Sequence, residues 1–160
     1  MPIDKNEFRR VLGHFAAGVT VVTTRGADGK PYGLTATAFT SVSLLPPLVL
    51  VCVDKKADSY PHFSSGIFGV NFLAVDQEAI SGRFAKSGGD KFADVSFRWG
   101  SVGVPLLAGT VGSLECRTVH VYDGGDHTIY VGEVEGAEAT ERDPLLYFRG
   151  AYRGIVGSRQ

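Results

Sequence analysis

The sequence predicts a mostly β fold, an antiparallel barrel decorated by two or three helices. Three observations carry that expectation. Short runs rich in Val, Thr, Ile and Phe recur along the chain, among them Val19–Thr24, Ile67–Leu73 and Thr128–Ala139, and such residues favour a pleated surface. The 21 glycines are spread between these runs rather than gathered into a linker, which is the punctuation of a compact barrel or sandwich. No strand–helix alternation is present to build a doubly wound parallel sheet.

The elements follow in order. Asp4-Lys5-Asn6-Glu7 is a capping box, and Phe8, Val11, Leu12 and Phe15 follow at helical spacing, so an amphipathic helix is expected over 5–16, ended by Gly18. Val19–Thr24 reads as a strand, and Gly26-Ala27-Asp28-Gly29 turns the chain into a second one, Gly33–Ser43. Pro46-Pro47 cannot sit in a central ladder, whereas Leu48–Val53 reads as a strand buried on both faces. Asp58 is placed to cap a short helix running to Ser65, stopped by Gly66. Ile67–Leu73 returns as strand, and Asp76 is expected to cap a helix on which Ile80 and Phe84 share a face. Residues 85–105 are glycine-rich and irregular, the kind of long loop that is functional or packs at an interface. Two long strands, Val111–Tyr122 and Thr128–Ala139, form a hairpin through Asp123-Gly124-Gly125-Asp126, and Leu145–Phe148 and Tyr152–Val156 close the chain.

Composition bounds the function. The 160 residues fit one domain, expected to span 1–160, with 44% hydrophobic and 21% charged residues. A net charge of −1 offers no basic footprint for nucleic acid and no pull towards anionic lipid. No apolar run approaches a membrane span and Met1–Lys5 lacks a signal-peptide core, so a cytoplasmic protein is expected. Cys52 and Cys116 lie in apolar strand-like runs and read as buried free thiols. No Gly-x-Gly-x-x-Gly, phosphate-binding loop or Gly-x-Ser-x-Gly elbow occurs. Cys116 and His120 would stand about 13 Å apart along a strand, and His14 and His62 fall on separate helices, so no metal site is expected.

What remains is a set of binding signals. In Gly33–Ser43 half the side chains are tiny, and alternation puts Thr35 and Thr37 on one face and Ala36 and Ala38 on the other. Such a strand suits either a tight sheet interface or a platform for a planar, polar-edged cofactor. Lys55-Lys56-Ala57-Asp58-Ser59 offers backbone N–H groups, a hydroxyl and two ammonium groups to a phosphate, or is a solvated loop. Arg83, with Phe84 and Lys86, offers a further cation and an aromatic wall, or is helix surface. Gly124-Gly125-Asp126-His127-Thr128 places a histidine beside two glycines at a hairpin tip, where it meets a ligand or solvent. Tyr147-Phe148-Arg149-Gly150-Ala151-Tyr152-Arg153 interleaves aromatics with arginines, as a ligand clamp or as the end of a core.

Taken in order, Gly18–Thr24, Thr35–Ser43, Pro46–Val53, Arg83-Phe84, Gly125–Thr128 and Pro144–Gly150 resemble the short-chain flavin reductase family, the reductase components of two-component flavin-dependent monooxygenases. The resemblance runs from about Phe8 to about Ile155. It implies a homodimeric FMN-binding split barrel that oxidises NADH or NADPH and reduces FMN or FAD for a separate monooxygenase. It also implies that Thr35, Ala36, Thr37, Ala38, Ser41, Val42 and Ser43 line the ring and ribityl chain. Cys52, Val53, Asp54 and Lys55 would run along the same cofactor. Lys55 or Lys56, Ser59 and Arg83 would be the phosphate candidates, with Phe84 beside them. His127 would sit beside the nicotinamide, and Tyr152 with Arg153 would close the site. Hydride transfer between the two cofactors would need no catalytic side chain. The competing expectations are a split-barrel flavoprotein that keeps its FMN and reduces another acceptor, a non-catalytic flavin or haem carrier, and a structural barrel.

Overall fold

In the computed structural model, which describes residues 1–156, the chain runs α1 (Lys5–Leu12), β1 (Ala17–Gly18), β2 (Thr20–Arg25), β3 (Pro31–Ala36), β4 (Phe39–Leu44), β5 (Pro47–Asp54), a 3-10 helix (Tyr60–Ser65), β6 (Ile67–Phe72), α2 (Glu78–Phe84), β7 (Phe97–Trp99), β8 (Pro105–Leu107), β9 (Gly112–Gly124), β10 (His127–Ala139), β11 (Leu146–Phe148) and β12 (Ala151–Arg153). Residues 157–160 of the expected 1–160 unit lie outside the described residues.

The main sheet has the order β3-β2-β6-β9-β10-β5-β4, antiparallel throughout. Its two edge strands are consecutive in sequence and are joined by Thr37 and Ala38 alone. Seven strands laid flat would hold their edges about 29 Å apart. The step from Ala36 to Phe39 spans at most about 11 Å. The sheet therefore has to curl until its edges meet. The order leaves β3 and β4 unpaired with each other, so the barrel is split rather than closed. Ala38 bridges the gap by accepting a hydrogen bond from the Cys52 N–H at 3.1 Å.

Curling gives the sheet two apolar faces. Inside the barrel Val22, Leu34, Val49, Val51, Val53, Phe63, Phe68, Val70, Cys116 and Tyr130 form one core. Outside it, Val19, Val21, Leu73, Phe84, Phe92, Leu107 and Leu145 form a second core beneath α2 and the long loop. Val21 and Val22 are neighbours in β2 yet face different cores, which is how a central strand comes to be buried on both sides. Its threonines are satisfied in place: Thr20 donates to Ala36 O at 2.6 Å, Thr23 to Pro105 O at 2.6 Å and Thr24 to Ile67 O at 2.7 Å. Buried Asn71 donates to Val21 O at 3.0 Å and accepts from the Leu107 N–H at 2.8 Å, tying the second core to β8.

Several expectations need correcting. The helix over 5–16 stops at Leu12, because the His14 and Phe15 N–H groups bond three residues back, to Val11 and Leu12, and Ala17–Gly18 pairs with β11 instead. The expected strand Gly33–Ser43 is two strands on opposite edges, broken at Thr37-Ala38, so its residues do not share one alternation. The strand expected to be buried on both faces, within β5, buries only Val49, Val51 and Val53, since nothing in the single chain covers its outer face. Cys52 sits on that face and is half-buried, while Cys116 is fully buried. Asp58 is not the helix cap: Ser59 holds that position and the Asp58 carboxylate accepts from the Gly88 N–H at 2.6 Å. Gln77, not Asp76, precedes α2, and its amide spans Ala74 N and Ala108 O. The irregular stretch 85–105 contains β7 and the first residue of β8, a short hairpin folded onto the second core.

Candidate active site

The two-residue crossover between β3 and β4 is the point on which the expected platform turns. Thr37 and Ala38 are exposed there, and small side chains leave the main chain approachable from outside. Ala38 lies against Cys52 through its carbonyl. Two residues on, Asp54 pairs with His127 across the β5–β10 ladder. Thr37, Ala38, Cys52, Asp54 and His127 thus follow one another along a continuous wall, although they come from the crossover and two strands, β5 and β10. On β4, Ser41 and Val42 are exposed and Ser43 is half-buried, with a bulge between Ser41 and Ser43. Ala36 packs against the inner core, and the Val53 side chain is wholly inside it, so Val53 offers the wall only its main chain.

The hairpin tip is held to the end of β5. The Lys55 ammonium bonds the Asp123 carboxylate and donates to Gly125 O at 2.6 Å, while the Lys55 N–H donates to Asp126 O at 3.0 Å. Beside Lys55 the Asp123 carboxyl is held below the usual carboxylate range, and beside Asp123 the Lys55 ammonium is held above its own. His127 Nδ1 lies 2.7 Å from Asp126 Oδ1, an interaction that lowers the Asp126 carboxyl. The histidine is therefore oriented from behind with part of its ring open to solvent. Lys55 is spent on positioning the hairpin, and Lys56 is exposed.

A second neighbourhood forms where β3 meets α2 and β12. The Thr35 hydroxyl donates to Ser81 O at 2.7 Å, and Ser81 Oγ lies 2.7 Å from Tyr152 Oη. Tyr152 also meets Tyr147 edge-on at 5.4 Å, and Arg153 is exposed. Phe84 is only 1% exposed and packs edge-on against Phe92, so it is core rather than an aromatic wall. Arg83, exposed on α2, bonds Ala93 O of the long loop.

Ser59 is the sharpest polar feature. It is 2% exposed, and its hydroxyl oxygen, buried, has no hydrogen-bond partner among the described residues. A buried unpaired hydroxyl costs about 1–3 kcal/mol unless something comes to meet it. It borders a pocket of about 620 Å3 that also takes in Lys30–Gly33, the loop 89–92 and Phe97. That oxygen is the observation by which the residues fit a phosphate-bearing cofactor: a donor is in place and none of the described residues meets it. Nothing in the sequence singles out Lys30, Tyr32, Lys91 or Phe97 as site residues. The glycine-rich loop signals only the segment of Lys91 and Phe97, since the pocket is assembled from segments far apart in the chain. Among the described residues no group of three or more His, Cys, Asp or Glu side chains is arranged to hold a metal ion.

The sequence model of the flavin reductase like domain matches residues 12–156. The reductase component of 4-nitrophenol 4-monooxygenase/4-nitrocatechol 2-monooxygenase from Rhodococcus opacus is 44% identical over 159 residues, covering 99% of this chain and 85% of that relative. An FMN reductase (NADH) from Agrobacterium fabrum is 42% identical over 150 residues, covering 93% of this chain and 85% of that one. The solved structure of the NADH:FAD oxidoreductase of Streptomyces globisporus C-1027 in complex with NAD and FAD fragments superposes with a TM-score of 0.92 at 42% identity, covering 98% of this chain and 96% of the other.

Proposed function

We propose that the small-residue wall, Ser59 and His127 form the flavin and nicotinamide site of this chain, which belongs to the flavin reductase like domain family. The chain is an NADH-dependent flavin reductase, an oxidoreductase that takes FMN or FAD as its flavin and works as the reductase partner of a separate flavin-dependent monooxygenase. The residue assignments rest most heavily on the unpaired Ser59 hydroxyl at the border of the pocket between β3 and the loop 89–92. When bound, the nicotinamide and the flavin supply hydride donor and acceptor themselves.

The chain supplies binding and orientation. Thr37, Ala38 and the main chain of Cys52–Asp54 let a flat ring approach the backbone, where N–H and C=O groups meet its polar edge. Ser41, Val42 and Ser43 continue this wall along β4. Ser59 donates to the flavin phosphate, and Arg83 lies on the same side of α2 as the loop that borders it. His127, held by Asp126, hydrogen-bonds the nicotinamide amide. Tyr152, held by Ser81, closes the site with Arg153. Thr35 acts at one remove, since its hydroxyl is already bonded to α2. The reading treats the chain as one unit that acts in the cytoplasm, where NADH and free flavin occur together.

It also takes the chain as a homodimer. None of the residues of α1 is buried, and Phe8, Val11 and Leu12 stand half exposed. Leu44 and Leu45 at the β4–β5 tip are each 93% exposed, and Val121 and Tyr122 of β9 are open as well. Apolar exposure on this scale marks an association surface.

Mixing the purified chain anaerobically with NADH and a large excess of FMN or FAD tests the activity. Flavin absorbance is expected to bleach through many equivalents per chain. No bleaching would sink the reading, and bleaching limited to one bound equivalent would replace a released flavin with a retained one.

A further inference from the structure

We propose that Tyr60 is a positioning residue for the Ser59 hydroxyl, holding it towards the flavin phosphate through a hydrogen bond to Thr128 of β10; the inference rests on the flavin site proposed above. A serine just before a helix ordinarily spends its side-chain oxygen on the N–H of the second or third helical residue. Ser59 makes no such bond. Pro61, the second residue of the 3-10 helix, has no N–H to give, and the His62 N–H goes to the Ser59 main-chain carbonyl at 3.0 Å. The local sequence therefore leaves the hydroxyl uncommitted, buried and unpaired among the described residues. Nothing local keeps it turned inward, since an unpaired hydroxyl gains by swinging out to water.

Tyr60 supplies the restraint. Its Oη lies 2.9 Å from Thr128 Oγ1, and its ring packs against the inner core. Thr128 is buried and paired with Val53 on one side and Asp123 on the other, so it is a fixed point in the sheet. Tyr130 shares that face of β10. Burial, with Tyr60 alongside, pushes its phenol up to about 12, so it stays neutral beside Tyr60. At the other end of the link from β5, the Lys55 N–H donates to Asp126 O at 3.0 Å. Both ends of the link are thus fastened to the hairpin that carries His127, and Ser59 sits beside the second fastening. Tyr60 does not line the pocket that Ser59 borders, so its effect on a ligand runs through Ser59.

The experiment is calorimetric titration of the full chain with FMN, with FAD and with riboflavin, which carries no phosphate. The wild type is compared with Tyr60→Phe, Thr128→Val, Ser59→Ala and Ser59→Ala/Tyr60→Phe. Tyr60→Phe and Thr128→Val each keep the shape of the side chain and remove one partner of the bond. Each is expected to weaken FMN and FAD by about three- to tenfold, the worth of one hydrogen bond, while riboflavin changes by less than about twofold. A merely structural role would move all three flavins together. The double variant should bind FMN within about twofold of Ser59→Ala, because Tyr60 acts only through that hydroxyl. Losses that multiply, or an equal loss for riboflavin, overturn the positioning role. If Ser59→Ala weakens FMN and Tyr60→Phe does not, that role alone fails. If Ser59→Ala leaves FMN and FAD unchanged, the phosphate assignment of Ser59 fails and the positioning role falls with it.

Discussion

His127 stands in the ladder opposite Asp54, with Asp126 2.7 Å from its Nδ1, so one nitrogen is engaged and the other is left for a ligand. That arrangement makes its contribution one of binding. A single hydrogen bond is worth about 0.5–1.5 kcal/mol net, or roughly three- to tenfold in an equilibrium. His127→Ala is expected to lower kcat/KM for NADH by about that factor while the flavin Kd changes less than twofold. Steady-state kinetics beside flavin titration checks it, and unchanged turnover would remove the histidine from the site. Cys116 shows the opposite environment. Burial, with Glu115 and Glu135 nearby, pushes its thiol up to about 12, which leaves it a small apolar side chain among Phe68 and Val70. The histidine was visible in sequence because glycines flank it. Ser59 was visible only as one hydroxyl in a charged run; that it is buried and unpaired depends on the 3-10 helix turning it inward.

The β9–β10 hairpin does most to locate the site, since it carries His127 at its tip and Cys116, Tyr130 and Gly132 further along its strands. The two strands slip register between Val131 and Gly132, where β9 carries one extra residue, Val119. A methyl group at Gly132 would stand 2.5 Å from Cζ of Phe68 and 2.8 Å from Cβ of Cys116. Phe68 is fully buried and the Cys116 Cβ is fixed to the backbone, so neither has room to give. Gly132→Ala is expected to cost about 1–3 kcal/mol of stability, the range for overpacked cores, measured as a lower denaturant midpoint with an unchanged slope. Loss of less than about 0.5 kcal/mol would show that the core yields there. At the tip, the Lys55–Asp123 pair and the Gly125 carbonyl hold the hairpin to β5. Asp123 is lowered, so its share is present above the ordinary carboxylate pKa and lost as pH falls through the lowered value. Lys55 is raised, so its share persists until pH climbs through the raised value.

For the molecule as a whole, the largest unexplained cost is apolar surface left in water. Phe15 is 80% exposed and Leu44 and Leu45 are 93% exposed, alongside the half-open Phe8, Val11 and Leu12. Burying side chains of this size is worth about 1.5–3 kcal/mol each, enough for a self-association to hold at micromolar concentration after its entropic cost. Sedimentation equilibrium is expected to give twice the 17.1 kDa of the chain, and Leu44→Glu/Leu45→Glu should shift it towards the monomer. A wild-type monomer at tens of micromolar would refute the dimer.

The sequence by itself determined most of the strands, the long β9–β10 hairpin, the family and the residues likeliest to differ from ordinary core, because hydrophobic periodicity, glycine spacing and the order of motifs are local and survive without coordinates. Leu48–Val53 and Thr128–Ala139 were legible in that way. Only the tertiary structure decided that Gly33–Ser43 is two edge strands, since a break of two residues leaves no periodic signal and the curl of seven strands is a property of the sheet. Only it decided, too, that Phe84 is core, that Lys55 is a fastening, and that Ser59, Lys30 and Lys91 share a pocket. Those are contacts between segments distant in the chain, and their energies depend on which face each segment presents once the barrel has folded.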